Sequence, residues 1–436
     1  MLGGGKFSTQ NKKLPGTYIN FVSALKATQN VSVRGIAAVA MQLDWGNDTD
    51  IFSVTAEEFQ KNALKLFGYN YDDEKLKNLR ELFKNIRLLY IYRLNNQGVK
   101  ATNTYATAKY CGTRGNSFKV VIEKNVDDED KYNVYLYIGN SIIDKQTVKT
   151  AAELVDNDFV VWDKTATLEI TTGISLSTGT NGEVSGTAHQ KFLDKLESCN
   201  FNALCCSSSD STIKALYINY TKRMRDEVGV KFQTIVHNAT NADYEGVINV
   251  KNNIVTSVES DKMNVIYWIT GIIASCAINK SNTNKVYDGE YEIDVDYTQS
   301  QLEGCLDGGE FVLHKVGDDV RVLEDINSLV TVTDEKGEDF KNNQTIRVLD
   351  QVATDVANLF NTKYLGNVSN NQSGRISLWN DIVSLYKQYY QLQAIEEFKS
   401  SEIVVEQGND NKSVVVTGNI NPVNCMSKLY MTVIIN

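Results

Sequence analysis

Only two prolines, Pro15 and Pro422, occur in this chain of 436 residues. Average usage of about 5% would supply roughly twenty. Between them, about four hundred residues run without one that fixes φ and removes a backbone donor. A proline-rich disordered chain and a collagen-like one are both excluded. The length allows two or three domains at about 100–200 residues each, and the 42% of hydrophobic residues can fill their cores.

Charge and termini narrow the class further. With 44 basic against 54 acidic residues the chain is net acidic. Nothing draws it as a whole to a phosphate backbone, so no nucleic-acid partner is expected. The first ten residues lack the basic stretch and apolar run of a secretory signal. The most apolar segment, residues 265–278, is shorter than the ~20 residues of a spanning helix, and we expect no direct membrane insertion. The seven cysteines are odd in number and include the adjacent pair Cys205/Cys206. That usage fits reduced thiols in a cytosolic setting, and a metal role for the pair competes with a buried strand.

The pattern along the chain predicts mixed α/β and α+β domains. Residues 1–24 read as an extended N-terminal arm. Residues 25–94 open a core domain, with a buried strand over 35–43, a capping box at Thr55 and Glu58, two amphipathic helices and a second strand over 88–94. Residues 95–183 break into short alternating segments, including 118–122, 132–138, 159–162 and 168–170, and read as an inserted β-sandwich or barrel-like domain. Residues 184–330 alternate helix and strand, which argues a largely parallel sheet. Residues 331–436 carry two long helices, the first marked by Ile346, Leu349, Val352, Val356, Leu359 and Phe360. Two strand-like segments follow, 413–417 and 429–435. The last is apolar on both faces and calls for a partner.

A search for chemistry returns no constellation. Phosphate-loop and dinucleotide fingerprints are absent from the sequence. His189, His237 and His314 lie far apart, although His237 ends an apparent strand, where α/β enzymes place catalytic groups. Ser207, Ser208, Ser209 and Asp210 lead from a strand into a helix and read as a loop with its N-cap. Asp127, Asp128, Glu129 and Asp130 lack the ligand spacing of a calcium loop. Asp294 and Asp296 share one face of a presumed strand at an exposed edge. We expect no catalytic residue, no metal and no cofactor.

Three motifs carry a resemblance. The stretch containing Pro15, Gly16, Thr17, Tyr18, Ile19, Asn20 and Phe21 precedes Arg34-Gly35 and then Asp44-Trp45-Gly46. With the β-rich insertion, α/β domain and C-terminal helix pair, this order resembles the contractile tail sheath proteins of bacteriophages. The texture is that of Gram-positive prophages and phage-tail-like (R-type) bacteriocins. The resemblance implies a subtilisin-like α/β core without its nucleophile motif. It also implies a helical tube of stacked hexameric rings around an inner tail tube, with baseplate and tail terminator proteins as further partners. Assembly would occur in the bacterial host cytoplasm, and contraction would drive the tube through a cell envelope.

In that family both termini cross into neighbouring subunits and complete a shared sheet. The matching residues here are the arm from Pro15 to Phe21 and the segment Leu429, Tyr430, Met431, Thr432, Val433, Ile434 and Ile435. Gly16 and Gly408 are candidate flexible joints. Two other classes compete: a hydrolase on the α/β layer using His237 and a serine of 207–211, and a self-assembling surface lattice protein.

Overall fold

The computed structural model describes residues 33–435, so the predicted arm from Pro15 to Phe21 lies outside the described residues. The chain enters through β1 (Ile36–Met41), then β2 (Phe52–Thr55), α1 (Ala56–Phe67), α2 (Lys77–Phe83) and β3 (Leu88–Arg93). The capping box forms as expected: the Glu58 N–H donates to Thr55 Oγ1 at 3.2 Å, and the Thr55 N–H donates to the Glu58 carboxylate at 2.9 Å. These bonds satisfy two donors that the first turn of α1 would otherwise leave orphaned.

The insertion holds β4 (Ala106–Ala108), β5 (Phe118–Lys124), β6 (Tyr132–Ile138), β7 (Ser141–Val148), β8 (Val160–Trp162) and β9 (Thr171–Ser175). An antiparallel sheet in the order β7-β6-β5-β9 is accompanied by the pair β4-β8. One layer of side chains, among them Phe118, Val120, Val134, Leu136, Val160 and Trp162, closes its core. The segment 168–170 is not a strand. Leu168 anchors a loop in this core, and pairing to β5 begins at Thr171.

The chain then returns through α3 (Gly186–Leu196), β10 (Ala203–Cys205), α4 (Ser211–Arg223), β11 (Gln233–His237), β12 (Val247–Val250), α5 (Val265–Ser275), α6 (Gln299–Asp307), β13 (Glu310–Phe311), β14 (Leu313–Val316) and β15 (Asp319–Val322). Seven strands form one sheet in the order β13-β12-β11-β10-β1-β3-β2. All pairings are parallel except β2 with β3. Helices cover both faces, which explains the continuous apolar run of β1. Ala37 and Val39 pack toward α1, α2 and α5, whereas Ala38 and Ala40 pack toward α3 and α4. Every residue of α5 from Val265 to Ala274 is buried, as a helix apolar all round must be. Asp294 and Asp296 lie in irregular chain instead of a strand.

The C-terminal region pairs α7 (Asn343–Leu359) with α8 (Gln372–Gln391) and adds an antiparallel hairpin of β16 (Val404–Gln407) and β17 (Val414–Thr417). Gly408 sits in that hairpin turn, its N–H donating to Ser413 O at 2.9 Å, so it is a turn residue and not a hinge. Residues 429–435 form no strand within the chain.

Candidate assembly surface

The groups that could support a hydrolase do not meet. His237 is buried at the end of β11, with Nε2 at 3.0 Å from Asn252 O and 3.1 Å from Asn238 Nδ2. Burial pushes its pKa down. Ser207 turns away and donates to Ala40 O. His189 faces the Tyr217 hydroxyl at 3.1 Å, and His314 lies on β14. Among the described residues no serine hydroxyl bonds to a histidine ring. Asp210 caps α4 by accepting from the Thr212 and Ile213 N–H groups. Both Cys205 and Cys206 are buried, and desolvation pushes the Cys206 thiol up to about 12. Asn125 Oδ1 accepts from the N–H groups of Asp127 and Asp128, making the acidic run a turn.

The Asp44-Trp45-Gly46 motif joins the insertion to the sheet. Trp45 follows β1, yet its ring lies in the insertion core, 5.0 Å from Phe118 and 5.2 Å from Tyr110 in edge-on geometry. Burial alone would raise the Asp44 pKa. Hydrogen bonds from Asn181 and Tyr69 and the Lys75 ammonium outweigh it and hold the carboxyl below its usual range. Gly46 has φ +112°, and a Cβ there would sit 2.6 Å from Leu66 O, so a side chain is excluded twice over. Arg93 spans the joint from β3, donating to Cys111 O at 2.8 Å.

The C-terminal end presents the unsatisfied surface. Up to Cys425 the last segment is tied down: Ile395 bridges Pro422, Gln344 Nε2 donates to Val423 O at 2.9 Å, and the Cys425 N–H donates to Gln344 Oε1 at 3.0 Å. Beyond it the tail is bare. Leu429 is 88% exposed, Tyr430 88%, Ile434 82% and Ile435 93%. Thr432, Met431 and Val433 are exposed as well. Residues 426–435 make no hydrogen bond to any other described residue.

A matching deficit lies on the body of the same region. A groove of about 560 Å³ is lined by Val352 and Val356 of α7, Phe360 immediately after it, Ile382 of α8, and Val414 and Val416 of β17. β17 pairs with β16 and with no other strand among the described residues, and Val415 and Val416 stay exposed. Of the stripe that hydrophobic spacing assigns to the core, Ile346 and Leu359 are buried, whereas Val352, Val356 and Phe360 are only partly covered. An open valine-rich edge beside an apolar groove is an invitation to strand addition. Of this hairpin β17 falls within the strand expected over 413–417, whereas β16 escaped the sequence reading, because it shows only four strand residues, Val404–Gln407, and no clear alternation.

Four family descriptions match consecutive stretches. Residues 34–94 match the tail sheath protein Gp18 domain III N-terminal region, 96–181 the phage tail sheath protein beta-sandwich domain, 182–328 its central domain and 335–436 the phage tail sheath C-terminal domain. The chain is 30% identical over 473 residues to the phage-like element PBSX protein XkdK of Bacillus subtilis (strain 168), covering 100% of each. The solved sheath tail protein of Desulfitobacterium hafniense aligns with a TM-score of 0.84 at 32% identity, over 95% of this chain and 99% of that one. Its counterpart from Listeria innocua gives 0.78 at 31% identity, over 91% and 93%. The helical sheath of the anti-feeding prophage in its contracted state shares the fold at a TM-score of 0.56 with 12% identity, over 97% and 99%.

Proposed function

Because this chain belongs to the phage tail sheath family and is of the prophage type, we propose that it polymerises by laying residues 429–435 against β17 and the apolar groove of a neighbouring copy. Tail sheath proteins are structural components of a phage tail or tail-like particle and not enzymes. The observation that carries the proposal is the pairing of two deficits in one chain: an apolar tail without a partner and a groove without an occupant. Main-chain hydrogen bonds to β17 would supply affinity, and alternate apolar side chains would fill the groove. Such a contact joins unlike surfaces and propagates, giving a helix of subunits instead of a closed dimer.

The finer reading follows the family. Subunits stack as six-membered rings around an inner tail tube, bounded by baseplate and terminator proteins, after assembly in the host cytoplasm. The central sheet, read as a subtilisin-like layer, is the rigid body. Contraction is a rigid-body rearrangement of such bodies, a reading supported by the shared fold with the helical sheath of the anti-feeding prophage, which was solved in a contracted state. The tail and the N-terminal arm around Thr17 to Phe21 keep the mesh connected while the bodies move.

Deleting residues 426–436 leaves the anchoring bonds of Val423 and Cys425 in place and is expected to give folded subunits that form no tubes by negative-stain microscopy. Val416→Lys, on the accepting side, is expected to do the same. Tubes of normal length and striation from both variants would refute the strand exchange.

A further inference from the structure

Beside the point where the chain enters β1, a cleft of about 680 Å³ separates the central sheet from α7. Four basic residues, Arg34, Arg87, Lys231 and Arg347, line it, against one acidic residue, Asp350. That acid is already committed: both of its oxygens accept from Arg225, at 2.6 and 2.8 Å. The other nearby carboxylate, Asp325, is also fully engaged. It accepts from Arg347 Nη2 at 2.8 Å, the Asn282 N–H at 2.9 Å and Asn343 Nδ2 at 2.9 Å.

The guanidinium groups are left incomplete. Arg347 is 1% exposed, yet among the described residues its Nε and Nη1 have no hydrogen-bond partner. Arg34 donates from Nη2 to Ile273 O at 3.1 Å, while its own buried Nε finds no partner among the described residues. Burial, and then the charge of Arg347, lower the Arg34 pKa to about 10. Arg34, Arg225 and Arg347 together bring three positive charges, and Asp325 and Asp350 bring two negative ones. At least one negative charge and a set of acceptor oxygens are missing. Native proteins seldom bury guanidinium donors without acceptors.

No side chain of the terminal segments supplies that charge. Neither residues 1–32 nor residues 426–436 contain an aspartate or a glutamate. We propose that the cleft is an oxyanion site, in which Arg34 and Arg347 together bind a phosphate or carboxylate group at the joint between the sheet and α7. The forked N–H geometry of arginine suits such a planar or tetrahedral acceptor. The oxyanion is either free in solution or a carboxylate on the body of an adjacent subunit. In both cases it bridges an element of the central sheet to the helix that carries the C-terminal groove.

The test uses the unassembled full-length protein and inorganic phosphate. Thermal unfolding is followed while phosphate replaces chloride at constant ionic strength. Binding is expected to leave the midpoint unchanged well below the dissociation constant and to raise it with the logarithm of phosphate above it, the unfolding constant falling about a hundredfold at 100 times the dissociation constant. Arg34→Gln is expected to shift the curve at least tenfold toward higher phosphate without lowering the midpoint in chloride. Arg34→Lys keeps the charge but loses the fork, and is expected to fall between the two. Assembled tubes distinguish the source: a phosphate response that persists there marks a free oxyanion, and one that vanishes marks a neighbouring carboxylate. Equal midpoints in phosphate and chloride for the unassembled wild-type protein would overturn the proposal, as would an unchanged phosphate response in Arg34→Gln.

Discussion

Replacing Trp45 by alanine is expected to loosen the inserted β-domain while leaving the central sheet intact. The indole is fully buried, though it hangs from a loop that belongs to the sheet. It makes edge-on contacts with Phe118 and Tyr110, a stacked contact with Phe159 at 6.4 Å, and a hydrogen bond from Nε1 to Lys65 O at 3.3 Å. A buried tryptophan cut to alanine costs about 3–5 kcal/mol, more where the site cannot collapse. Collapse is hindered here. Gly46 and Gly68 hold the neighbouring backbone at positive φ, and Gly68 already lies close enough that a Cβ on it would stand 2.8 Å from the Trp45 Cβ. The upper half of that range, about 4 kcal/mol, corresponds to roughly a thousandfold loss of protection at 1.4 kcal/mol per decade. Native-state hydrogen exchange resolved by segment is the assay. Amides of β5 and β6 should lose that protection, and those of β1 and β10 should not. Less than a tenfold change in β5 and β6, or an equal change in all four strands, would refute the view of Trp45 as the peg between two cores.

Two further substitutions probe buried charge. Asp350→Ala strands the Arg225 guanidinium and should cost about 3–5 kcal/mol in urea unfolding, whereas the double change Arg225→Met with Asp350→Leu should recover most of it. A double variant no more stable than Asp350→Ala would contradict that account. His189 is 3% exposed, and burial lowers its pKa to about 4 from 6.5. The unfolded chain therefore takes up the proton first as pH falls. The stability contribution is complete above pH 6.5 and is lost between 6.5 and about 4, by roughly 3 kcal/mol at 1.36 kcal/mol per unit. His189→Phe should flatten unfolding midpoints across that window, and an unchanged slope would place the titration elsewhere.

What the sequence made legible depended on how far each signal had to reach. The Thr55–Glu58 box spans three residues, and the apolar runs of β1 and α5 need only themselves to be recognised. Opposite in kind are the bonds that dock α7. Arg225 and Asp350 are 125 positions apart, and Gln233 and Asn343 are 110 apart. Nothing in local spacing announces either pair. The reading of α7 was incomplete. Of its apolar stripe Ile346 and Leu359 are buried and Val352, Val356 and Phe360 are only partly covered, while Asn343, Gln344, Thr345, Arg347 and Asp350 are buried as well. Such a helix has both buried polar groups and a half-open apolar stripe to accommodate. The polar groups bond to Gln233 of β11, to Arg225, to Asp325 and to residues 423–425 of their own chain. In the proposed assembly the apolar face is satisfied by another.

The same logic explains residues 429–435. Alternating apolar residues marked a strand there, but a strand exists only with a partner, and within one chain the segment stays unpaired and exposed. Burial of the alternate residues Leu429, Met431, Val433 and Ile435 in the groove would remove from water side chains worth about 1.5–3 kcal/mol each when fully covered. Ordering seven residues costs about 1–2 kcal/mol apiece in backbone entropy. The two sums nearly cancel, so one tail gives a weak bond. The proposed lattice, which must hold firmly and still rearrange, is served by many such bonds acting together, each reversible by itself.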